Sequence, residues 1–210
     1  DASADIDRMK VLIQNDTFID NYAHSGNNLH IIFSDKKHSE GFIVSNCTFE
    51  FSNSNPTSAT SCRALEFSSN VHNIEISKTH FINIYSSIGA AIRIADCSDI
   101  SVTITSCSFT NLITEWEGSA ILLNDMDSTI DFIDCDFTDC YCNVDGRNSY
   151  AISTNKNLIN LHHVRFMNTS EPKASYPIYY ATTTNTLTFE DLIFENVTSS
   201  LPIFEFPTIT

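Results

Sequence analysis

Two acidic residues, Glu75 and Asp131, each lie six positions before a phenylalanine that recurs along the chain. If the recurrence reflects coils of β-structure stacked about 4.8 Å apart, these carboxylates lie two coils, or about 9.6 Å, apart. Carboxyl groups separated by about 6.5–9.5 Å are typical of inverting glycosidases. Because a chain with 26 acidic residues places some pair at this separation on any face, we expect no catalytic residue, and Glu75 and Asp131 remain candidates only.

A histidine, a serine and an acid also share one position, directly before the recurring phenylalanine. They are His80, Ser108 and Asp136, and Arg165 follows them in the next repeat. These residue types form a hydrolytic triad when the acid orients the histidine and an oxyanion hole faces the serine. A flat row with one residue per coil supplies neither, so we expect a cross-coil ion pair between Asp136 and Arg165 instead.

The seven cysteines and the adjacent His162 and His163 do not form a metal-binding pattern. Tetrahedral sites use Cys-x2-4-Cys pairs, and the histidine pair is expected to be solvated at a corner, so we expect neither a metal ion nor a cofactor. Cys107 and Cys135 occupy one column in adjacent coils. A disulfide bond is sterically allowed there, and a pair of buried, reduced thiols is at least as compatible with the pattern.

Four Asn-x-Ser/Thr sequons, at Asn15, Asn46, Asn168 and Asn196, are candidate glycosylation sites. A chain this rich in Asn, Ser and Thr contains about four sequons by chance, so their number favours secretion only weakly. Asn15 and Asn46 directly precede predicted inward positions, at a corner, and are therefore expected to be the most accessible of the four.

Composition limits the classes of function. The net charge is −15, with 11 basic and 26 acidic residues, whereas a nucleic-acid binder needs a basic surface to displace counterions. No apolar stretch approaches the roughly 20 residues that span a bilayer. We therefore expect no nucleic acid as a partner and no membrane insertion of this segment.

The recurring phenylalanine appears seven times, at intervals of 28 to 32 residues. The positions seven and five residues before it are apolar in every repeat, which indicates strands with one buried face. A fixed period of this length is typical of a solenoid, in which equivalent residues stack. The predicted core column consists of Phe18, Phe49, Phe81, Phe109, Phe137, Phe166 and Phe194.

Two corners and a third strand complete each repeat. Polar pairs such as Thr105-Ser106 interrupt the alternation, and Asn or Asp follows the phenylalanine two positions later in six of the seven repeats. A further strand begins at pairs such as Ala91-Ile92. Three short strands in about 28 residues predict an all-β parallel β-helix of about seven coils, in a single domain over residues 1–210.

Two other repeat architectures fit less well. A leucine-rich repeat requires leucine at fixed offsets, and leucine is scarce here. A β-propeller requires about 40–50 residues per blade and antiparallel hairpins, whereas Asp145-Gly146 is nearly alone among hairpin-turn signals.

Short motifs in this pattern resemble a known family. Gly89-Ala90-Ala91-Ile92 and Gly118-Ser119-Ala120-Ile121 resemble the degenerate Gly-Gly-Ala-Ile repeats of chlamydial-type polymorphic outer-membrane proteins, which related surface proteins of some protists share. Phe18-Ile19-Asp20-Asn21 matches their Phe-x-x-Asn repeat. The resemblance implies a right-handed parallel β-helix like that of the pectin lyases, in a passenger or adhesin role.

The expected function is therefore non-enzymatic: a structural or adhesive β-helical protein, extracellular or at the cell surface, as a stalk, adhesin or filament unit. The alternative is a pectin-lyase-like carbohydrate-active enzyme, a polysaccharide hydrolase or lyase. Because neither end of the sequence supplies a charged lid, we expect a longer parent protein with flanking coils, or head-to-tail stacking of copies. Surface glycans or proteins are further candidate partners.

Overall fold

The computed structural model describes residues 9–20, 27–32, 39–51, 63–68, 71–95, 97, 100–115, 118–124, 128–142, 149–154, 157–168, 175–179, 187–197 and 204–205. Within these ranges every regular element is a β-strand, and the 24 strands are numbered in chain order. Strands from successive repeats pair in parallel, so that each repeat is one coil of a solenoid. The predicted all-β, parallel β-helical fold class is confirmed.

Sheet A contains the strand that precedes the recurring phenylalanine. In its central strand Val102 and Ile104 are buried, whereas Ser101 is exposed and Thr103 half-buried. This alternation positions one polar row on the outside of each coil. The seven strands are β1 (Met9–Gln14), β4 (Ser39–Ser45), β7 (Asn73–Ser77), β11 (Ser101–Thr105), β15 (Ser128–Ile133), β19 (Asn157–His162) and β22 (Leu187–Glu190).

Sheet B contains the phenylalanine itself, stacked on its equivalents. Adjacent ring centroids lie 4.6 to 5.5 Å apart, and the ring planes are 3° to 14° from parallel. The five inner rings are fully buried, and Phe18 and Phe194 at the two ends are partly buried. The strands are β2 (Thr17–Ile19), β5 (Thr48–Glu50), β8 (His80–Ile82), β12 (Ser108–Thr110), β16 (Asp136–Thr138), β20 (Arg165–Met167) and β23 (Ile193–Glu195).

Sheet C closes each coil. Its inward residues, such as Ile92 and Ile121, are fully buried and pair in register along the stack. The strands are β3 (Asn27–Ile32), β6 (Arg63–Ser68), β10 (Ile92–Ala95), β14 (Ile121–Asn124), β18 (Ser149–Thr154), β21 (Ser175–Tyr179) and β24 (Phe204–Glu205).

A fourth, short sheet was not predicted from the sequence. Sheet D adds one strand between sheets B and C in three central coils, where Ile84, Leu112 and Cys140 are buried just before it. The Ile113 amide donates to the Ile84 carbonyl at 2.9 Å, so the extra strands continue the ladder of the coils. The strands are β9 (Tyr85–Ser86), β13 (Ile113–Thr114) and β17 (Tyr141–Cys142).

Left-handed backbone forms the corners. The corner between sheets A and B has positive φ at Asn15, Asn46, Lys78, Ser106, Asp134, His163 and Asp191. The corner after sheet B has positive φ at Asp20, Asn83, Asn111, Asp139, Asn168 and Asn196. Before sheet C, Gly118 has φ 62°, and a Cβ there would lie 2.6 Å from the Ile121 carbonyl oxygen, which explains why glycine is needed at this position.

Candidate functional site

The row that contains the two candidate carboxylates is a flat ladder on the outer face of sheet A. Thr103 pairs in register with Glu75 on one side and Asp131 on the other, so the two acids lie two coils apart. The Asn160 amide donates to the Asp131 carboxylate at 2.6 Å, and the Thr188 hydroxyl donates to the Asn160 carbonyl. Asp131 is therefore bonded to its neighbour, while Glu75 is exposed on an open surface.

The second row, on the outer face of sheet B, is divided into two pairs. His80 Nδ1 and Ser108 Oγ lie 2.7 Å apart. Arg165 donates from Nε and Nη2 to the two oxygens of Asp136, both at 2.7 Å, and these bonds raise the pKa of the guanidinium above its usual value. The acid is bound to the arginine rather than to the histidine, so the row lacks the orientation that a triad requires.

A buried ionic cluster lies on the outer face of sheet C, where sequence analysis indicated nothing. Glu66 is only 5% exposed and contacts two arginines, Arg63 at 3.2 Å and Arg93 from the next coil. Arg63 also donates to the Ile88 carbonyl at 2.8 Å. Desolvation lowers the pKa of Arg63, and the Glu66 carboxylate opposes that shift. The sequence signal for this cluster is the alignment of the sheet C strands, in which Glu66 of β6 pairs with Arg93 of β10.

His162 and His163 lie at a solvated corner as expected, but carboxylates surround them. His162 Nδ1 lies 3.2 Å from Glu190. His163 lies between two coils, with Nδ1 3.4 Å from Asp134 and Nε2 3.2 Å from Asp191. The sequence did contain a signal for this arrangement, which the prediction did not use. Asp134, His163 and Asp191 occupy the same position of three successive repeats.

The buried cysteines are free thiols that bond to backbone carbonyls. Of the two alternatives for Cys107 and Cys135, the structure has the reduced pair. Burial raises the pKa of Cys107 to about 11 and that of Cys135 to about 12. Because the thiolate is the nucleophilic form, these groups are poorly suited to nucleophilic catalysis. The free, buried cysteines in the described ranges include Cys47, Cys97, Cys107, Cys135 and Cys140.

All four sequon asparagines have exposed side chains and left-handed backbone at corners. They bond in pairs: the Asn46 amide donates to Asn15 at 2.7 Å, and the Asn196 amide donates to Asn168 at 3.2 Å. Exposure therefore does not single out Asn15 and Asn46, and their preferred glycosylation stays a prediction.

The fold and the outer ladders define the chain as a parallel β-solenoid protein. Comparisons with protein-family models, curated proteins and solved structures found no match to this chain. In the described ranges, no group of three or more His, Cys, Asp or Glu side chains could hold a metal ion. No helix within those ranges is long and apolar enough to cross a membrane.

Proposed function

We propose that the chain is a non-enzymatic structural or adhesive rod of the extracellular space or the cell surface. The observation that carries the proposal is the pairing of outer polar groups with one another across coils, as in Asn160–Asp131 and Arg165–Asp136. Groups that could perform chemistry are used instead to connect successive coils. A rigid solenoid with polar faces offers a long surface for contact with other molecules.

We further propose that the chain is related to the pectin-lyase-like β-helices of polymorphic surface proteins. It is supported by Gly89 and Gly118, which have positive φ directly before sheet C. The Gly-x-Ala-Ile motif thus has a conformational reason in this fold, because the corner requires a residue that tolerates left-handed backbone beside a close neighbour.

An extracellular location is supported by the exposed sequons and is compatible with the cysteines. Thiols buried as deeply as Cys107 and Cys135 are shielded from oxidants, and their raised pKa values keep the reactive thiolate scarce. A reduced interior can therefore persist in an oxidising compartment.

End-on contact with a further coil is proposed as the mode of assembly. Phe189 in the last coil of sheet A is 59% exposed, although its equivalents in the central coils are buried. A second copy stacked head to tail would place Asp16, at the inward position of its first coil, against Leu192. Burying that carboxylate is costly, whereas a flanking coil with an apolar residue at this position avoids the cost.

The location can be tested on intact cells that express the protein. An antibody against the chain should label cells that have not been permeabilised, and brief treatment with external protease should remove the label. A cytosolic marker protein in the same cells serves as the control and should survive the protease. Labelling that appears only after permeabilisation would refute the proposed location.

A further inference from the structure

The outer face of sheet D carries a row of three large side chains, Tyr85, Ile113 and Tyr141. Ile113 pairs in register with Tyr85 on one side and with Tyr141 on the other, so the two tyrosines lie two coils, or about 9.6 Å, apart. Ile113 is only 9% exposed, whereas both tyrosines are half-buried. This row, the tyrosine strip, is therefore an apolar surface with an aromatic ring on each side of its centre.

The hydroxyl of Tyr85 fixes the direction of its ring. It donates at 3.0 Å to the carboxylate of Glu115, which lies two residues beyond Ile113 in the next coil. The side chain of Tyr85 therefore extends from its own coil toward that of Ile113, which agrees with the low exposure of Ile113. Because Tyr85 is only half-buried, part of its ring is accessible from outside.

Carboxylates lie beside both tyrosines. Glu115 is bonded to the Tyr85 hydroxyl, and Asp139 occupies the corner two residues before Tyr141. Within the part of the chain that the structure describes, the Asp139 side chain has neither a hydrogen bond nor an ion pair. Desolvation raises the pKa of Asp139, as expected for a carboxylate that no cation neutralises. The tyrosine strip therefore combines aromatic rings with negative charge.

This combination is suited to cationic side chains. A guanidinium or ammonium group is attracted to the face of a tyrosine ring when it lies within about 6 Å of the ring centroid. A neighbouring carboxylate adds an ion pair, and arginine also stacks its planar group on aromatic rings. The net charge of −15 attracts basic partners from a longer distance. Charge complementarity thus favours a basic partner over a glycan, which would use the rings but gain no ion pair.

The distance between the tyrosines selects among basic segments. In a polyproline II helix every third residue returns to the same side, about 9.3 Å further along the axis. This repeat matches the roughly 9.6 Å between Tyr85 and Tyr141. In a β-strand, by contrast, residues three apart lie on opposite sides. Cations at every third position of a polyproline II segment can therefore reach both tyrosines at once.

We propose that the tyrosine strip binds an extended basic segment of a partner protein. Two arginine or lysine side chains of that segment lie against the rings of Tyr85 and Tyr141, where Glu115 and Asp139 neutralise them. The inference rests on the proposed adhesive role and names the chemistry of its partner. Its test uses purified protein, so a failure of binding is distinct from a failure of the location test on cells.

The test is an NMR titration of the nitrogen-15-labelled 210-residue chain with an acetylated and amidated peptide of three Arg-Pro-Pro repeats, at about 0.15 M salt. We expect the largest shifts at the amides of β9, β13 and β17. A control peptide with glutamine in place of arginine should bind at least about fivefold more weakly, as for the loss of two cation–π contacts. No shifts at these strands would overturn the proposal.

Variants separate recognition by the rings from attraction by net charge. Tyr141→Leu keeps an apolar side chain without the ring and should raise the Kd about 2- to 5-fold, whereas Tyr141→Phe keeps the ring and should leave it unchanged. Glu115→Gln should raise the Kd by up to about 5-fold. The matched control Glu75→Gln removes the same charge from an exposed acid of sheet A and should have little effect.

Two results would contradict the assignment of the strip. Equal affinities of Tyr141→Leu and Tyr141→Phe, or equal losses in Glu115→Gln and Glu75→Gln, would show that net charge alone attracts the peptide. The neutral sugar maltohexaose is titrated in parallel. If it shifts the amides of the tyrosine strip and the arginine peptide does not, the strip binds a glycan and the proposal is wrong.

Discussion

The inward and outward columns of the same coils repeat in different ways. Inside sheet B, phenylalanine recurs in all seven coils, and its rings stack at 4.6 to 5.5 Å. One residue earlier, on the outside, the column reads Thr17, Thr48, His80, Ser108, Asp136, Arg165 and Ile193. The interior restricts residue type because each ring packs against its equivalent, whereas the exterior requires only that neighbours can pair.

This difference also bears on the chemically capable residues of the outer rows. Histidine, serine and carboxylates do occur along the outer rows, but they bond to the nearest compatible neighbour of the adjacent coil. A catalytic constellation needs groups that converge on one point and are oriented by further contacts. A ladder with one residue per coil spreads them along a line instead.

The largest expected effect is a cavity in the inner column. Phe109 is fully buried between the rings of Phe81 and Phe137. Phe109→Ala should lower the free energy of unfolding by about 3–5 kcal/mol, measured by urea denaturation. Thr103→Ala, on the outside of the same coil, should change it by less than about 0.5 kcal/mol. Equal losses at the two positions would show that the inward and outward assignment is wrong.

The second prediction concerns Glu66, a buried charge on the outer face of sheet C. Glu66→Gln leaves Arg63 and Arg93 without their carboxylate, and should cost roughly 2–3 kcal/mol, less than the about 3–5 kcal/mol typical of fully buried pairs. The matched control Glu75→Gln, at an exposed acid, should be nearly neutral. If thermal or urea denaturation finds the two variants equally stable, the buried cluster does not contribute to the stability of sheet C.

The third prediction uses the interior thiols. Burial raises the pKa of Cys135 from 9.0 to about 12, so the unfolded chain loses this proton first as the pH rises. Stability should therefore be unaffected by this thiol well below pH 9. Above it, the free energy of unfolding should fall by up to about 1.4 kcal/mol for each pH unit. Cys135→Ala should show a smaller loss between pH 9 and pH 10, and an identical slope would contradict the assigned burial.

The smallest effect is expected at the corners. Lys78 has φ 48°, a conformation that costs a residue with a Cβ more than it costs glycine. Lys78→Gly should raise the free energy of unfolding by about 0.5–1 kcal/mol, whereas Thr103→Gly, within a strand, should lower it by a similar amount. The two variants can be compared in one set of urea denaturation curves. A loss of stability in both would mean that the Lys78 side chain is more important than its backbone.

The repeat could be predicted from the sequence because it depends on residue type at single positions. Apolar residues seven and five positions before the phenylalanine mark sheet A, and Asn or Asp marks the second corner, as at Asn83 and Asn111. The first corner was harder, because stacking imposes left-handed backbone even on Lys78, Ser106 and His163. Lysine and serine do not favour that conformation, whereas histidine, like Asn and Asp, adopts it more often than most residues do.

The candidate site was only partly predictable because its contacts depend on register between coils of unequal length. The rows of Glu75 and His80 followed from the repeat. The ion pair between Asp136 and Arg165 was predicted from the same row and is confirmed. The bond between Asp131 and Asn160 was not predicted. The cluster around Glu66 lies in sheet C, outside the columns aligned on the phenylalanine. The pattern there places Glu66 beside Arg93 but does not indicate that the pair is buried.

The central claim is that the outer ladders connect coils and do not catalyse, and turnover of polysaccharides tests it most directly. The 210-residue chain is incubated with a panel of acidic and neutral polysaccharides, and new reducing ends and unsaturated uronates are quantified. Glu75→Gln, Asp131→Asn and heat-inactivated protein are measured in parallel. The account predicts no product above the heat-inactivated control in any sample. Product formation by the unaltered chain that either substitution abolishes would contradict it.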